Sequence, residues 1–225
     1  MTRGLILVFV LGALLAACQK QQAPVAVGVV YNNELTNALQ QPEVFKKKRT
    51  ILEFSSGETG QTCEDYLQLT VSSTVKEEIN NQMAKSEYLV CEALALIGDK
   101  QLTVADTNVA FGQILVTRLD LRSFPSSLFQ MLDDQKYTLE NLDTKVKVTT
   151  TSVTYETEEW HYRLELVATL DVNNNGKVDW VLWLADEAKP GNYRQYQTLV
   201  VYDVGNPGLL RATPFASMRN NAPKF

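Results

Sequence analysis

The sequence predicts an α+β fold, in which a mixed helix and strand N-terminal part packs on a C-terminal antiparallel β-meander. Three observations lead to this expectation. Apolar residues occupy six alternate positions from Trp160 to Leu170, as on a half-buried strand. A helix-start signature lies much earlier, at residues 74–77. The composition, 45% hydrophobic and 21% charged over 225 residues, is that of a folded globular chain.

Two patterns predict elements in the N-terminal part. Residues 65–71 (DYLQLTV) alternate between apolar and polar side chains and predict a strand. Residues 74–77 (TVKE) form a capping box, and apolar residues recur at every fourth position from Val75 to Met83. This spacing predicts an amphipathic helix of about three turns.

The middle of the chain is harder to assign from its pattern. Residues 88–97 are almost wholly apolar and fit either a central strand or a buried helix. Residues 106–121 show helical spacing but could also be extended. Pro125 is expected to open a short helix over residues 126–133.

The C-terminal third predicts at least four antiparallel strands. Residues 145–155 are rich in Val and Thr, as strands are. The alternation from Trp160 to Leu170 predicts one continuous apolar face. Residues 178–184 (VDWVLWL) are expected to form a central strand with both faces buried, and residues 196–204 another.

The N-terminus carries an export signal. Arg3 precedes an apolar run of eleven residues, 5–15, which is shorter than the ~20 residues of a membrane-spanning helix. The segment Leu15-Ala16-Ala17-Cys18 follows and resembles the lipobox of bacterial lipoproteins. The resemblance implies cleavage before Cys18 and acylation of that cysteine, so the chain would be held on a membrane by lipid. The alternative is an ordinary secretory signal cleaved after Ala17.

The expected location is the periplasmic face of the outer membrane. In lipoproteins an Asp after the lipidated cysteine tends to retain the protein at the inner membrane, and this chain has Gln19 there. The expected organisation is a signal peptide over residues 1–17, a lipidated cysteine and flexible tether over 18–30, and a single periplasmic domain over 31–225, with a disulfide-stapled part at 31–143 and the meander at 144–225.

Two further cysteines, Cys63 and Cys91, are expected to form a disulfide. An even pair in an exported chain is most simply oxidised. The other interpretation, a redox or metal pair, lacks a CxxC motif, and the single histidine, His161, leaves too few ligands for a zinc site.

Residues 171–179 (DVNNNGKVD) carry a possible calcium loop. Oxygen ligands at alternate positions, with glycine at position six, suit a hard cation. The loop resembles EF-hand-like and FG-GAP-type calcium loops, and the resemblance implies one weakly bound structural Ca²⁺. Only two carboxylates are present and position twelve is Leu182, so a plain Asn-Gly hairpin is the alternative. The implied ligands are Asp171, Asn173, Asn175, the backbone carbonyl of Lys177, and Asp179.

The function expected from these features is a non-enzymatic one. The net charge of −5 argues against a nucleic-acid partner, and the sequence has no GxSxG elbow or glycine-rich phosphate loop. We therefore expect a membrane-anchored lipoprotein that binds or scaffolds another envelope protein. One alternative is a glycan or small-ligand binder that uses Trp160, Trp180 or Trp183. The other is a hydrolase whose carboxylates are brought together only by folding.

Overall fold

The computed structural model describes residues 28–104, 110–142 and 145–220, and it has the predicted α+β architecture with a meander-like sheet in the C-terminal part. The helices are α1 (Asn33–Leu39), α2 (Cys63–Leu69), α3 (Ile79–Lys85), α4 (Leu89–Ile97), α5 (Phe111–Arg118) and α6 (Phe215–Asn220). The strands are β1 (Gly28–Val30), β2 (Leu52–Glu53), β3 (Thr59–Gly60), β4 (Leu102–Val104), β5 (Leu119–Asp120), β6 (Val146–Val148), β7 (Ser152–Glu156), β8 (Trp160–Leu170), β9 (Asp179–Ala188), β10 (Arg194–Val201) and β11 (Leu210–Pro214).

Nine of these strands form one sheet around the long strand β8. The order is β4-β1-β8-β9-β10-β11-β5, and β6 and β7 extend the sheet from the other half of β8. Strand β9 pairs with β8 along its whole length, while β7 and β1 share the opposite edge of β8. The pairing is antiparallel except for β1 with β4 and β11 with β5, which are parallel. Strands β2 and β3 make a separate two-stranded ribbon.

Both faces of the sheet are covered, which makes two hydrophobic cores. Helices α1 to α4 and α6 pack on one face, which we call the α4 face. Helix α5 and the chain that follows it, residues 119–142, pack on the other, which we call the α5 face. Because both faces of the sheet are covered, strand β9 has buried apolar side chains on both of its faces, as predicted for residues 178–184.

The predicted continuous apolar face of β8 is interrupted by a bulge. The register shifts between Leu166 and Ala168. Tyr162, Leu164 and Leu166 point to the α5 face, whereas Ala168 and Leu170 belong to the α4 face. An extra residue in a strand turns every later side chain to the other side, so the sequence alternation is real but the face changes.

Two predicted N-terminal elements are wrong. Residues 65–71 do not form a strand, because Cys63–Leu69 is helix α2. Thr62 and Asp65 form the capping box that starts it, with Asp65 N–H donated to Thr62 Oγ1 at 3.1 Å and Thr62 N–H donated to Asp65 Oδ2 at 3.1 Å. The predicted box at 74–77 does not cap a helix. Helix α3 begins later, at Ile79.

The ambiguous segments resolve as helices. Residues 89–97 form α4, preceded by a 3₁₀ turn over Ser86–Tyr88. Within 106–121, Phe111–Arg118 is helical and Leu119–Asp120 is strand β5, while residues 106–109 lie outside the described residues. The short helix predicted at 126–133 is a 3₁₀ helix over Ser127–Met131.

The last three residues of the predicted tether, 28–30, belong to the folded domain. Gly28–Val30 is strand β1, inserted between β8 and β4, and Val30 is buried. A side chain at Gly28 would meet Leu102 Cδ2 at 2.1 Å and Leu170 Cβ at 3.0 Å, so this position accepts only glycine without repacking. Cys18 and the predicted signal peptide, residues 1–17, lie outside the described residues. Within the described ranges, no helix has the length and apolar character needed to cross a membrane.

Candidate functional site

A cavity of about 420 Å³ opens between α2, α3 and strand β10, and we call it the Glu92 cavity. Its volume lies within the usual range of small-ligand sites, about 300–1,000 Å³. Residues from three parts of the chain line it. They are Tyr66, Thr70, Ser73, Thr74, Val75, Glu77, Gln82, Lys85 and Glu92 from the segment between the start of α2 and α4, residues 192–197 from the β9–β10 turn and the start of β10, and Phe215 and Ala216 from α6.

Glu92, on α4, is a buried carboxylate at this site, with 2% of its surface exposed. One oxygen, Oε1, accepts the Tyr66 hydroxyl and lies 3.5 Å from Lys85 Nζ. The other, Oε2, accepts the backbone N–H of Thr198 at 3.0 Å. A buried carboxylate needs compensating partners, and Glu92 has one cation and two neutral donors.

The open edge of β10 explains why charged groups dock here. Strand β11 pairs with β10 only from Leu199 onward. Just before that point the chain donates the Thr198 N–H to Glu92, and the Tyr196 carbonyl accepts from Lys85 Nζ. Buried backbone groups must find partners, so the Lys85–Glu92 pair completes the edge of the sheet where its neighbouring strand ends.

The disulfide holds the two helices that carry Tyr66 and Glu92. Cys63 and Cys91 are bonded as predicted, with their Cα atoms 5.2 Å apart. Cys63 lies one helical turn before Tyr66 on α2, and Cys91 directly precedes Glu92 on α4. The disulfide therefore helps to fix the distance between the Tyr66 phenol and the Glu92 carboxylate, which accepts its hydrogen bond.

The electrostatics of the site keep Tyr66 a neutral donor. Burial, followed by the nearby negative charge of Glu92, raises the pKa of the Tyr66 hydroxyl well above its usual value. At neutral pH the phenol therefore keeps its proton and donates a hydrogen bond to Glu92. At the rim of the cavity, Arg194 Nη1 donates hydrogen bonds to the backbone carbonyls of Ala188, Gly191 and Tyr193. These bonds hold the turn between β9 and β10 in place beside the cavity.

Both oxygens of Glu92 already accept hydrogen bonds from donors of the chain itself. What remains available is polar lining and aromatic surface. The site can hold a small polar molecule.

Sequence reasoning missed this site. Glu92 is the single charged residue in the otherwise apolar run 88–97. A charged residue in a buried segment needs a partner, so this residue is the sequence signal that could have pointed to the site. No spacing rule linked it to Tyr66 or Lys85, because these lie on separate helices that meet only in the fold.

The loop at residues 171–179 folds as a compact turn stabilised by its own side chains. Asp171 accepts the N–H groups of Asn175, at 3.0 Å, and Gly176, at 2.7 Å. The Asn173 and Asn175 side-chain oxygens accept the N–H groups of Asn175 and Lys177. Gly176 has φ +83°, the left-handed conformation that favours glycine.

Asp179, the last predicted ligand, is turned toward the body of the domain. Its carboxylate accepts Val172 N–H and Asp203 N–H, each at 2.8 Å, and burial raises its pKa. A third carboxylate that the sequence pattern did not include, Asp203, accepts from Asn175 Nδ2 and Lys177 Nζ at 2.7 Å. In the described part of the chain, no three His, Cys, Asp or Glu side chains are arranged to hold a metal. The predicted ligand oxygens thus already serve as acceptors for the loop.

A second buried carboxylate, Asp186, lies on the α5 face. It accepts the N–H and the hydroxyl of Ser127, each at 2.6 Å, and the Tyr193 hydroxyl at 3.3 Å. These bonds hold the 3₁₀ helix Ser127–Met131 against strand β9 of the sheet. Because Glu92 lies on the α4 face, the two carboxylates are separated by the sheet and do not form a pair.

The other sequence candidates are dispersed. Trp180 and Trp183 are buried in the cores of opposite faces, and Trp160 is half-buried edge-on to the ring of Tyr193. His161 Nδ1 lies 3.9 Å from Glu156 at the far end of β8. None of these residues lines the Glu92 cavity.

Comparisons of the chain with protein-family models, with curated proteins and with solved structures found no match.

Proposed function

We propose that the chain is a lipid-anchored protein of a bacterial cell envelope whose folded domain binds another envelope component without catalysing a reaction. The observation that carries the proposal is the segment Leu15-Ala16-Ala17-Cys18, placed directly after an apolar run of eleven residues. Acyl chains on Cys18 would hold the domain on the membrane, most consistently the periplasmic face of the outer membrane.

The disulfide supports export. Stable disulfides form in oxidising compartments such as the periplasm and are rare in the cytosol. Cys63 and Cys91 are bonded inside the core of the domain, where they brace α2 against α4. A domain built around this bond suits an exported chain.

The early start of the domain supports a role close to the membrane. Cys18 and Gly28 are ten positions apart, so the chain between the acylated residue and strand β1 reaches at most about 35 Å. A partner of the domain would therefore lie in the membrane or near its surface.

The state of the buried carboxylates supports binding rather than chemistry. Glu92 and Asp186 are each occupied by donors from their own chain and lie on opposite faces of the sheet. A glycosidase-type mechanism needs two carboxylates facing one substrate bond. The geometry of these two residues favours a binding domain.

A weakly bound structural Ca²⁺ at residues 171–179 is a secondary part of the proposal. The wrapped turn and the third carboxylate, Asp203, support it. Against it, each predicted ligand side chain already accepts an N–H group of the loop. An ion there would brace the turn and would not activate water.

The proposed binding role is tested by crosslinking the full chain in its own envelope and purifying it in detergent. We expect one envelope component to be recovered in a stoichiometric amount with the acylated chain. The matched control is the same purification from cells that produce Cys18→Ser, which should lose the component together with the membrane. If no stoichiometric component is recovered with the acylated chain, the binding role is refuted.

A further inference from the structure

The floor of the Glu92 cavity presents a hydrogen-bond donor. Lys85 Nζ lies 3.5 Å from Glu92 Oε1, the oxygen that also accepts the hydroxyl of the buried Tyr66. Lys85 uses a second N–H on the Tyr196 carbonyl, and an ammonium has three. The Lys85 side chain is partly exposed, so its remaining N–H is available to a ligand. A hydroxyl group of a ligand satisfies this donor, because a hydroxyl oxygen accepts from an ammonium.

The charges of the lining balance, which favours a neutral ligand. Lys85 and Arg194 supply two positive charges, and Glu77 and Glu92 supply two negative ones. An anion would have to compete with Glu92 for Lys85, and a cation would lie against that ammonium. Binding of either charged ligand would therefore leave one buried charge without a partner.

The polarity of the floor argues against an apolar ligand. Filling the cavity with hydrocarbon would remove water from the Lys85–Glu92 pair without replacing its hydrogen bonds, which is unfavourable. A ligand with several hydroxyl groups does not carry this penalty.

The walls of the cavity combine aromatic rings with hydroxyl and amide groups. Tyr196 and Phe215 line it, and the Tyr196 hydroxyl is donated to Glu187 at 2.5 Å, which fixes the orientation of the ring. The weakly positive C–H groups of a sugar ring pack well on aromatic faces. The polar groups between the rings are Thr70, Ser73, Thr74, Gln82, Asn192 and Gln195.

We infer that the Glu92 cavity binds a neutral polyhydroxylated ligand, a mono- or disaccharide or the end of a neutral glycan, with one sugar hydroxyl accepting from Lys85 Nζ. This inference deepens the proposed function, on which it rests, by naming the chemical class of a ligand for the folded domain. The expected residues of contact are those of the cavity and none of the three tryptophans.

The test is calorimetric titration of the full chain, in a detergent without a sugar headgroup, with glucose, N-acetylglucosamine and maltose. We expect at least one to bind at millimolar concentration.

A pair of exposed glutamates provides a control that does not disturb the core. Glu77 lies at the rim of the cavity, and its neighbour Glu78 does not line it. Glu77→Trp should obstruct the opening and abolish binding, whereas Glu78→Trp should bind like the wild type.

Two results would overturn the inference: no heat of binding with any of the three sugars, or equal binding by both tryptophan variants. If either occurs while the acylated chain still recovers its envelope component, only the sugar inference fails. If the sugars bind and Cys18 carries no lipid, the inference stands and the anchoring proposal fails.

Discussion

At the scale of single residues, two of the buried carboxylates, Glu92 and Asp186, are compensated in different ways. Glu92 faces the ammonium of Lys85, whereas Asp186 is held by the neutral groups of Ser127 and Tyr193. Neutral donors offset less of the desolvation of a carboxylate than a cation does. Burial consequently raises the pKa of Asp186 above its ordinary value of 3.8, although the bonds from Ser127 act in the opposite direction.

The raised pKa of Asp186 predicts how the stability of the domain depends on pH. Below pH 3.8 this carboxyl is protonated in both the folded and the unfolded chain. Above that pH the unfolded chain releases the proton first, so the contribution of Asp186 to the free energy of unfolding falls until the folded-state pKa is passed. Asp186→Asn should lack this decline. The measurement is urea unfolding of both proteins at several pH values.

The difference between the two proteins isolates Asp186 from the other carboxyls. The free energy of unfolding of the wild type, minus that of Asp186→Asn, should decrease as the pH rises from 3.8. Glu158→Gln, at an exposed position between β7 and β8, serves as the matched control. A difference that increases with pH for Asp186→Asn would mean that the folded protein favours the charged form.

At the scale of elements, the disulfide is the main brace of the N-terminal helices. It closes a loop with a sequence separation of 28 residues, for which the chain-entropy estimate is ~3–4 kcal/mol. The double substitution Cys63→Ala/Cys91→Ala should lower the free energy of unfolding by roughly 2–5 kcal/mol. Chemical denaturation of the two proteins measures this change.

Alkylation provides the control for that prediction. In the folded, non-reduced protein both thiols should resist alkylation, and both should react once a reductant and denaturant are present. Reaction of either cysteine before reduction would show that the bond is not formed in the protein.

The loop at residues 171–179 gives the second prediction at this scale. If it binds Ca²⁺ with a dissociation constant of about 10⁻⁴–10⁻³ M, a tenfold excess over that constant stabilises the fold by about 1.4 kcal/mol. Thermal unfolding with Ca²⁺ and with a chelator should show this shift in the wild type and not in Asp171→Ala. A wild-type midpoint that does not respond to Ca²⁺ would leave a hairpin closed by its own hydrogen bonds.

Local sequence signals predicted the sheet better than the helices. Strands β8, β9 and β10 follow from alternation and from long apolar runs, because burial dictates their patterns directly. The alternation of Leu67, Leu69 and Val71 predicts a strand where the fold has helix α2. The sequence signal for the helix is the Thr62–Asp65 capping box at its start. Its buried face is set by Cys63 and Tyr66, one turn apart.

Other features depend on contacts distant in sequence. The bulge at Leu166–Ala168 keeps apolar residues at alternate positions, because their side chains are buried on one face or the other. Its one mark in the sequence is Val167, an apolar residue at an intervening position. The Glu92 cavity likewise depends on where strand β11 stops beside β10. No residue near Glu92 in the sequence carries that information, so the site could be found only in the folded chain.

At the scale of the whole molecule, the domain is a mixed sheet covered on both sides, with its first strand ten positions after Cys18. The helical layer on the α4 face carries the disulfide and the Glu92 cavity together. The proposed lipid at Cys18 would set the location of the domain, and the proposed binding site would supply the recognition. The proposed location therefore depends on anchoring at Cys18.

Mass spectrometry of the mature chain, combined with fractionation of wild type and Cys18→Ser, shows whether the protein is anchored at Cys18. We expect a first residue of acylated Cys18 and recovery of the wild type with the outer membrane. We expect an uncleaved or soluble form for Cys18→Ser. A mature chain that begins at an unmodified Cys18, or a Cys18→Ser protein that is cleaved and fractionates normally with the membrane, would rule out anchoring by lipid at this residue.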